Sequence, residues 1–175
     1  MQRQWLADRP LDSVVIQFPD FMVTEKELRA TMSSVAKNMV NWTAVIDDRR
    51  VPSTIGFFVE PASDQGMYGF LPSPSLAYET RLLLFGRPFP VSDLALAPNH
   101  VFDELLQSNE SITWAFEHGK VGKPTIRLVR SGTFSDFLQL KLDEGSNNLG
   151  QIKVPVVLPK AEYVAWFSER VLQEL

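Results

Sequence analysis

Residues 154–175 read VPVVLPKAEYVAWFSERVLQEL, and the way this stretch divides decides what fold to expect. Val154 to Leu158 is rich in β-branched residues, which suit a pleated sheet. Pro159 suits the first turn of a helix, where a missing N–H costs nothing. Tyr163, Val164, Phe167, Val171 and Leu172 then recur at helical spacing, so an amphipathic helix is predicted to run to the last residue.

The same joint occurs earlier. Pro98 opens PNHVFDELLQSN, which puts Val101, Phe102, Leu105 and Leu106 on one helical face. Ahead of it stand STIGFFVEP, with Ile55, Phe57 and Val59 alternating and Pro61 as the stop, then GMYGFLPS, YETRLLLFG and VSDLALA. After it come SITWAFEHG (Ile112, Trp114, Phe116), PTIRLVR, DFLQLKLDEG (Leu138, Leu140, Leu142) and GQIKVPVVL. Four strands therefore precede each proline-led helix. The expected architecture is α+β, two ββββα repeats over about 52–110 and 111–175 within a domain of residues 50–175.

Residues 1–49 form an N-terminal extension in this reading. Its helix covers TEKELRATMSSVAKNMVNWTAVI, with Thr24 as N-cap, Glu25 and Glu27 in the first turn, and Leu28, Met32, Val35, Met39 and Trp42 at helical spacing. DDRR closes it as a polar turn.

At 175 residues and 45% hydrophobic, the chain can bury a sizeable core. It has no cysteine, which excludes disulfides, thiolate metal sites and a cysteine nucleophile. His100 and His118 are far apart with no companion at metal-ligand spacing, so no metal is expected. GKVGKPT lacks the spacing of a phosphate-binding loop, no serine stands in a nucleophile elbow, and the acids of DEG and DDRR read as turn residues. No catalytic residue and no cofactor are expected. No apolar run approaches the length of a membrane span.

The net charge of −4 is unevenly spread. Residues 51–112 carry Arg81 and Arg87 against seven acids, whereas Lys120 to Arg130 holds four basic residues and no acid.

The two-repeat order resembles the Whirly fold, shared by plant Whirly single-stranded DNA-binding proteins and the kinetoplastid mitochondrial RNA-binding proteins 1 and 2. IGFFVEP is similar to that family's first strand, VFDELLQSNESITWAFEHG to its central helix and the strand after it, and IKVPVVLPKAEYVAWFSERVL to its last strand and helix. Plant members carry Lys-Gly-Lys-Ala-Ala-Leu at the first strand, where this chain has RRVPSTIGF, so the resemblance points to the kinetoplastid side. It implies a non-enzymatic protein that binds guide RNA and pre-mRNA and promotes their annealing in mitochondrial RNA editing. It implies assembly with a related subunit into a heterotetramer, or with itself into a homotetramer. It implies a mitochondrial location as well, any transit peptide lying outside these residues. A single-stranded DNA-binding transcription or genome-stability factor is the alternative, as is a scaffold subunit with weak nucleic-acid affinity.

Strand alternation supplies the expected contact surface. With Ile126 and Leu128 turned inward, Arg127 faces out; Gln139 and Lys141 oppose the Leu138–Leu140–Leu142 row, and Lys153 opposes Ile152 and Val154. Lys120, Lys123 and Arg130 fall at strand ends, and Arg81 would serve the first repeat. Together they would make a basic sheet face that holds phosphates without reading bases. Any one of them is more simply a solvated side chain. Phe137, Phe70 and Tyr68 could stack on bases, though such residues are more often core, and Trp114 and Trp166 read as packing residues.

Overall fold

A computed structural model describes residues 15–35, 39–61, 98–145 and 153–175. Strands β1 (Val15–Gln17) and β2 (Met22–Thr24) form a hairpin. They lead into α1 (Glu25–Val35), then β3 (Met39–Asp47) and β4 (Thr54–Pro61). Next come α2 (Pro98–Ser108), α3 (Glu110–Glu117), β5 (Thr125–Val129), α4 (Thr133–Asp143), α5 (Ala161–Ser168) and β6 (Val171–Glu174).

The larger sheet has the order β3-β4-β5-β6. β3 runs antiparallel to β4, β4 parallel to β5, and β5 antiparallel to β6. A parallel pair needs a long crossover, and here α2 and α3 lie between β4 and β5 in the chain. This mixed four-stranded sheet replaces the two ββββα repeats that the sequence predicted.

Helices cover both faces. Ile55, Phe57 and Val59 of β4, with Ile126 and Leu128 of β5, point into one core with Leu28 and Met32 of α1, Val101 and Leu105 of α2, and Ile112 and Ala115 of α3. Phe58 and Val129 point the other way and pack with Phe134 and Phe137 of α4 and Tyr163 and Phe167 of α5. β4 is therefore buried along both faces, as a central strand is.

Four segments expected as strand or helix take the other form. Residues 110–117 are helical because Asn109 caps them. Its Oδ1 accepts from Ser111 N at 2.9 Å and Ile112 N at 3.2 Å, while its Nδ2 donates to Glu27 Oε1 at 3.0 Å. Gly119, at φ +64, ends this helix: Lys120 N donates to Ala115 O and Gly119 N to Phe116 O, the two bonds of a Schellman turn.

Residues 133–143 are also helical, and Phe134 and Phe137 three positions apart bury one face. Gly132 precedes the helix at φ +83, and Glu60 closes its start by accepting from Gly132 N at 2.6 Å and Phe134 N at 3.0 Å. The leucine alternation over 138–142 reflects no sheet face.

The predicted first helix ends at Val35, and Met39 and Trp42 belong to β3. β-branched Val40, Thr43, Val45 and Ile46 fit an extended chain once β4 is there to pair with them. The final helix likewise stops at Ser168, and residues 171–174 add to the sheet as β6.

Residues 154–158 form an extended segment joined to β3 by an isolated bridge, with Ala44 N donating to Val156 O and Leu158 N to Ala44 O. GMYGFLPS, YETRLLLFG and VSDLALA lie outside the described residues. The α1 start forms as expected: Thr24 N and Glu27 Oε2 are 2.7 Å apart, and Glu27 N donates back to Thr24 Oγ1 at 3.3 Å.

Candidate functional site

The strand register gathers charge at one end of the sheet. Asp47 ends β3 beside Thr54, Gly56 of β4 lies next to Thr125 of β5, and Arg127 lies next to Glu174 of β6. Alternation turns Asp47, Gly56, Thr125 and Arg127 to the same face. Arg49 and Arg50 reach the group from the β3–β4 turn.

Asp47 is the centre. Its carboxylate accepts from Thr125 Oγ1 at 2.6 Å, from Arg49 Nε and Nη2 at 2.8 Å each, and from Arg127 Nη2. Arg49 Nη2 also donates to Glu174 Oε2 at 2.8 Å, and Arg50 Nη2 donates to Glu174 Oε1 at 2.9 Å. Charges of alternating sign thus run from Arg127 through Asp47, Arg49 and Glu174 to Arg50. The inner pair is buried, with the Arg127 and Asp47 side chains 4% and 1% exposed, while Arg49 and Arg50 are about half exposed.

Gly56 makes this possible. A Cβ there would lie 2.9 Å from Arg127 Nη2, 3.1 Å from Thr125 Oγ1 and 3.2 Å from the Asp47 Cβ. The guanidinium thus occupies the space a side chain would take, with its carbon 4.6 Å from the Phe58 ring centre.

Burial pushes the Asp47 carboxyl upward, but hydrogen bonds from Arg49 and Thr125 and the charge on Arg127 outweigh it. The group is held well below the usual carboxylate range. Burial lowers Arg127, with Asp47 opposing that shift, whereas the hydrogen bond to Asp47 raises Arg49. Asp47 is therefore ionised at neutral pH and anchors two cations.

The residues expected to form a basic face do not share one. Arg127 turns away from Ile126 and Leu128 as alternation requires, but into the interior. Gln139 and Lys141 are on α4: Gln139 donates to Asp143 at 2.9 Å, and Lys141 Nζ donates to the Tyr163 hydroxyl at 2.7 Å and to Glu144 at 3.2 Å. Arg130 follows β5, 3.8 Å from Asp136, and Lys120 follows α3, 3.8 Å from Asp20. Lys123 bonds Asn99 and lies 5.9 Å from the Phe102 ring centre on the opposite side of the sheet from α4, and Lys153 is exposed ahead of the bridge segment. Arg81 lies outside the described residues, as do Phe70 and Tyr68.

Phe137 is fully buried, Trp166 packs against it, and Trp114 is half exposed and stacked on His118. Sequence reasoning missed Asp47, Arg49, Arg50 and Glu174. DDRR reads as a turn, and its one signal was an acid directly before two arginines at the end of a β-branched run. Among the described residues no cluster of His, Cys, Asp and Glu fits a metal ion, and no helix is long and apolar enough to cross a membrane.

The GH3 family C-terminal domain matches residues 24–162. The fold is similar to a solved GH3.15 acyl acid amido synthetase, at 16% identity and a TM-score of 0.65, covering 93% of this chain and 26% of that one. It is also similar to AtGH3.15 acyl acid amido synthetase in complex with 2,4-DB, at 16% identity and a TM-score of 0.68 with the same coverage. At that identity the likeness is one of fold, and the chain spans about a quarter of each enzyme. No curated protein matches.

The family match overturns the Whirly resemblance. With it go single-stranded RNA binding and annealing, the DNA-binding and scaffold alternatives, and the guide-RNA, pre-mRNA and tetramer partners. The expectation of a non-enzymatic protein is overturned as well, because the matched structures are enzymes.

Proposed function

This chain belongs to the GH3 C-terminal-domain family, and on that premise we propose that it is the C-terminal domain of an enzyme joining an acyl acid to an amine as an amide. The family match over residues 24–162 carries this reading, and the likeness of fold to two acyl acid amido synthetases over 93% of the chain supports it. The substrates are then small molecules, a carboxylic acid and an amine.

Amide formation sets a physical requirement. A carboxylate is a poor electrophile, so the acid must first become a better acyl donor, and that donor must be kept from water until the amine attacks. Since 26% of the matched enzymes corresponds to this chain, we assign most of the substrate-binding surface to the remaining part of such an enzyme. This domain supplies a sheet held rigid by helices on both faces and by the Asp47–Arg127 pair.

The test uses the protein that carries this chain, incubated with panels of carboxylic acids and amino acids and with a nucleoside triphosphate. The phosphate anhydride of that co-reactant is cleaved to make the acyl donor, and its released phosphate carries away the oxygen the acid loses. Products are read by mass spectrometry. A compound with the mass of acid plus amine less one water, formed only when all three components are present, is the expected result. Failure of every pairing in a folded protein, against an active synthetase as control, overturns the proposal.

A further inference from the structure

The charged end of the sheet contains an imbalance that the fold does not need. Three guanidinium groups meet two carboxylates: Arg49 holds Asp47 through Nε and Nη2 and shares Glu174 with Arg50, which has no other acid among the described residues. Glu174 gives one oxygen to Arg49 and the other to Arg50, and both arginines remain half exposed. Asp48, in the same turn, forms no ion pair among the described residues. Beneath them Arg127 Nε is buried without a hydrogen-bond partner, and Glu174 Oε2 stands 3.9 Å from it, too far to accept. A buried unpartnered donor is costly, more so on a charged group.

We propose that Arg49 and Arg50 form a binding site for a small oxyanion, phosphate or carboxylate, and that Glu174 is its gate. The half-exposed Arg50 guanidinium, held only through Nη2, and Arg49 Nη1, which is left over once Nε and Nη2 hold Asp47, have the donors for such a group. An oxyanion seated on them competes with Glu174 for the same N–H groups. The displaced carboxylate then has a nearer destination than solvent: a shift of about 1 Å brings Oε2 within hydrogen-bond range of Arg127 Nε. Binding outside thereby satisfies a donor inside and draws β6 onto β5, because Glu174 is the residue of β6 that faces Arg127. This inference is independent of the synthetase reading.

The experiment titrates the full chain, labelled with nitrogen-15, with inorganic phosphate, pyrophosphate or acetate at constant ionic strength, with chloride as control. The arginine Nε–Hε resonances are followed by NMR. Saturable shifts at Arg49 and Arg50 are expected, together with a shift of the Arg127 Nε–Hε signal as it gains an acceptor. Arg50→Gln weakens binding by roughly tenfold, the factor expected for one charge-assisted hydrogen bond. Glu174→Gln strengthens binding, since the competing charge is gone, and weakens the Arg127 response. The anion that saturates at the lowest concentration identifies the class of oxyanion. Shifts that never saturate or that chloride reproduces, indifference to Arg50→Gln, or saturation with a silent Arg127 would each overturn the proposal. Circular dichroism of each variant establishes that it is folded.

Discussion

Asp47→Asn is the most telling single change to the sheet. It keeps the shape of the side chain and removes the charge that faces Arg127, whose side chain is 4% exposed. The guanidinium loses its hydrogen-bonded ionic partner and keeps only the longer ion pair to Glu174, 3.9 Å from its Nε. Breaking a buried pair in this way costs about 3–5 kcal/mol, a large part of the roughly 5–15 kcal/mol that holds a domain folded. For a chain of this size that lowers the melting temperature by about 6–20 °C.

Arg127→Met should cost less, because Arg49 still donates twice to Asp47. The double variant should fall well short of the sum of the singles. Urea and thermal melts followed by circular dichroism measure all three.

The pH dependence gives a second reading of the same pair. Asp47 is held below the usual carboxylate range when folded, so its contribution is fully present above its unfolded value of about 4 and fades as the pH falls towards the folded one. The stability gap between wild type and Asp47→Asn should therefore be wide at pH 7 and narrow steadily below about pH 4. A loss below about 1 kcal/mol, or a gap constant with pH, would refute the account of Asp47 as the anchor of this network.

Gly56→Ala should destabilise by about 1–3 kcal/mol through overpacking against Arg127 and Thr125, and the same melts read it. Asn109→Ala removes the α3 cap and the bond to Glu27, for a loss of about 1 kcal/mol or somewhat more, and helicity measured by circular dichroism should fall with it. Glu60→Ala leaves the Gly132 and Phe134 amides without their acceptor. A loss of about 1–3 kcal/mol is expected, with faster hydrogen exchange confined first to the start of α4.

Much of the local structure could be read directly. Thr24 and Glu27 announced the start of α1, Pro98 opened α2, and the β-branched and aromatic run ending at Pro61 marked β4. The errors cluster where short apolar runs fit two periods. Ile112, Trp114 and Phe116 alternate like a strand, yet Ile112 and Ala115 are also three apart, and the second pattern is the buried one. The same holds for Phe134 and Phe137 beneath the Leu138–Leu142 alternation. Asn109 and Gly119 are the local marks of α3, a cap and a terminator. Two misread helices then produced a false repeat, and the false repeat made short matches to another family look ordered.

Where the chain turns and where several elements begin is legible locally, because caps, prolines and β-branching act through bonds within a few residues. The sequence also shows that Arg127 points opposite to Ile126 and Leu128, which follows from the pleat alone. That this arginine lies in the interior rather than on a solvent face depends on long-range packing. Its partner Asp47 is 80 residues away in the chain, Gly56 clears the space, and α4 and α5 cover that face of the sheet. The same holds for residues 39–47 and 171–174, which became strands because β4 and β5 were there to pair with them. A strand is stabilised by its neighbours, and the identity of the neighbours is a property of the folded chain.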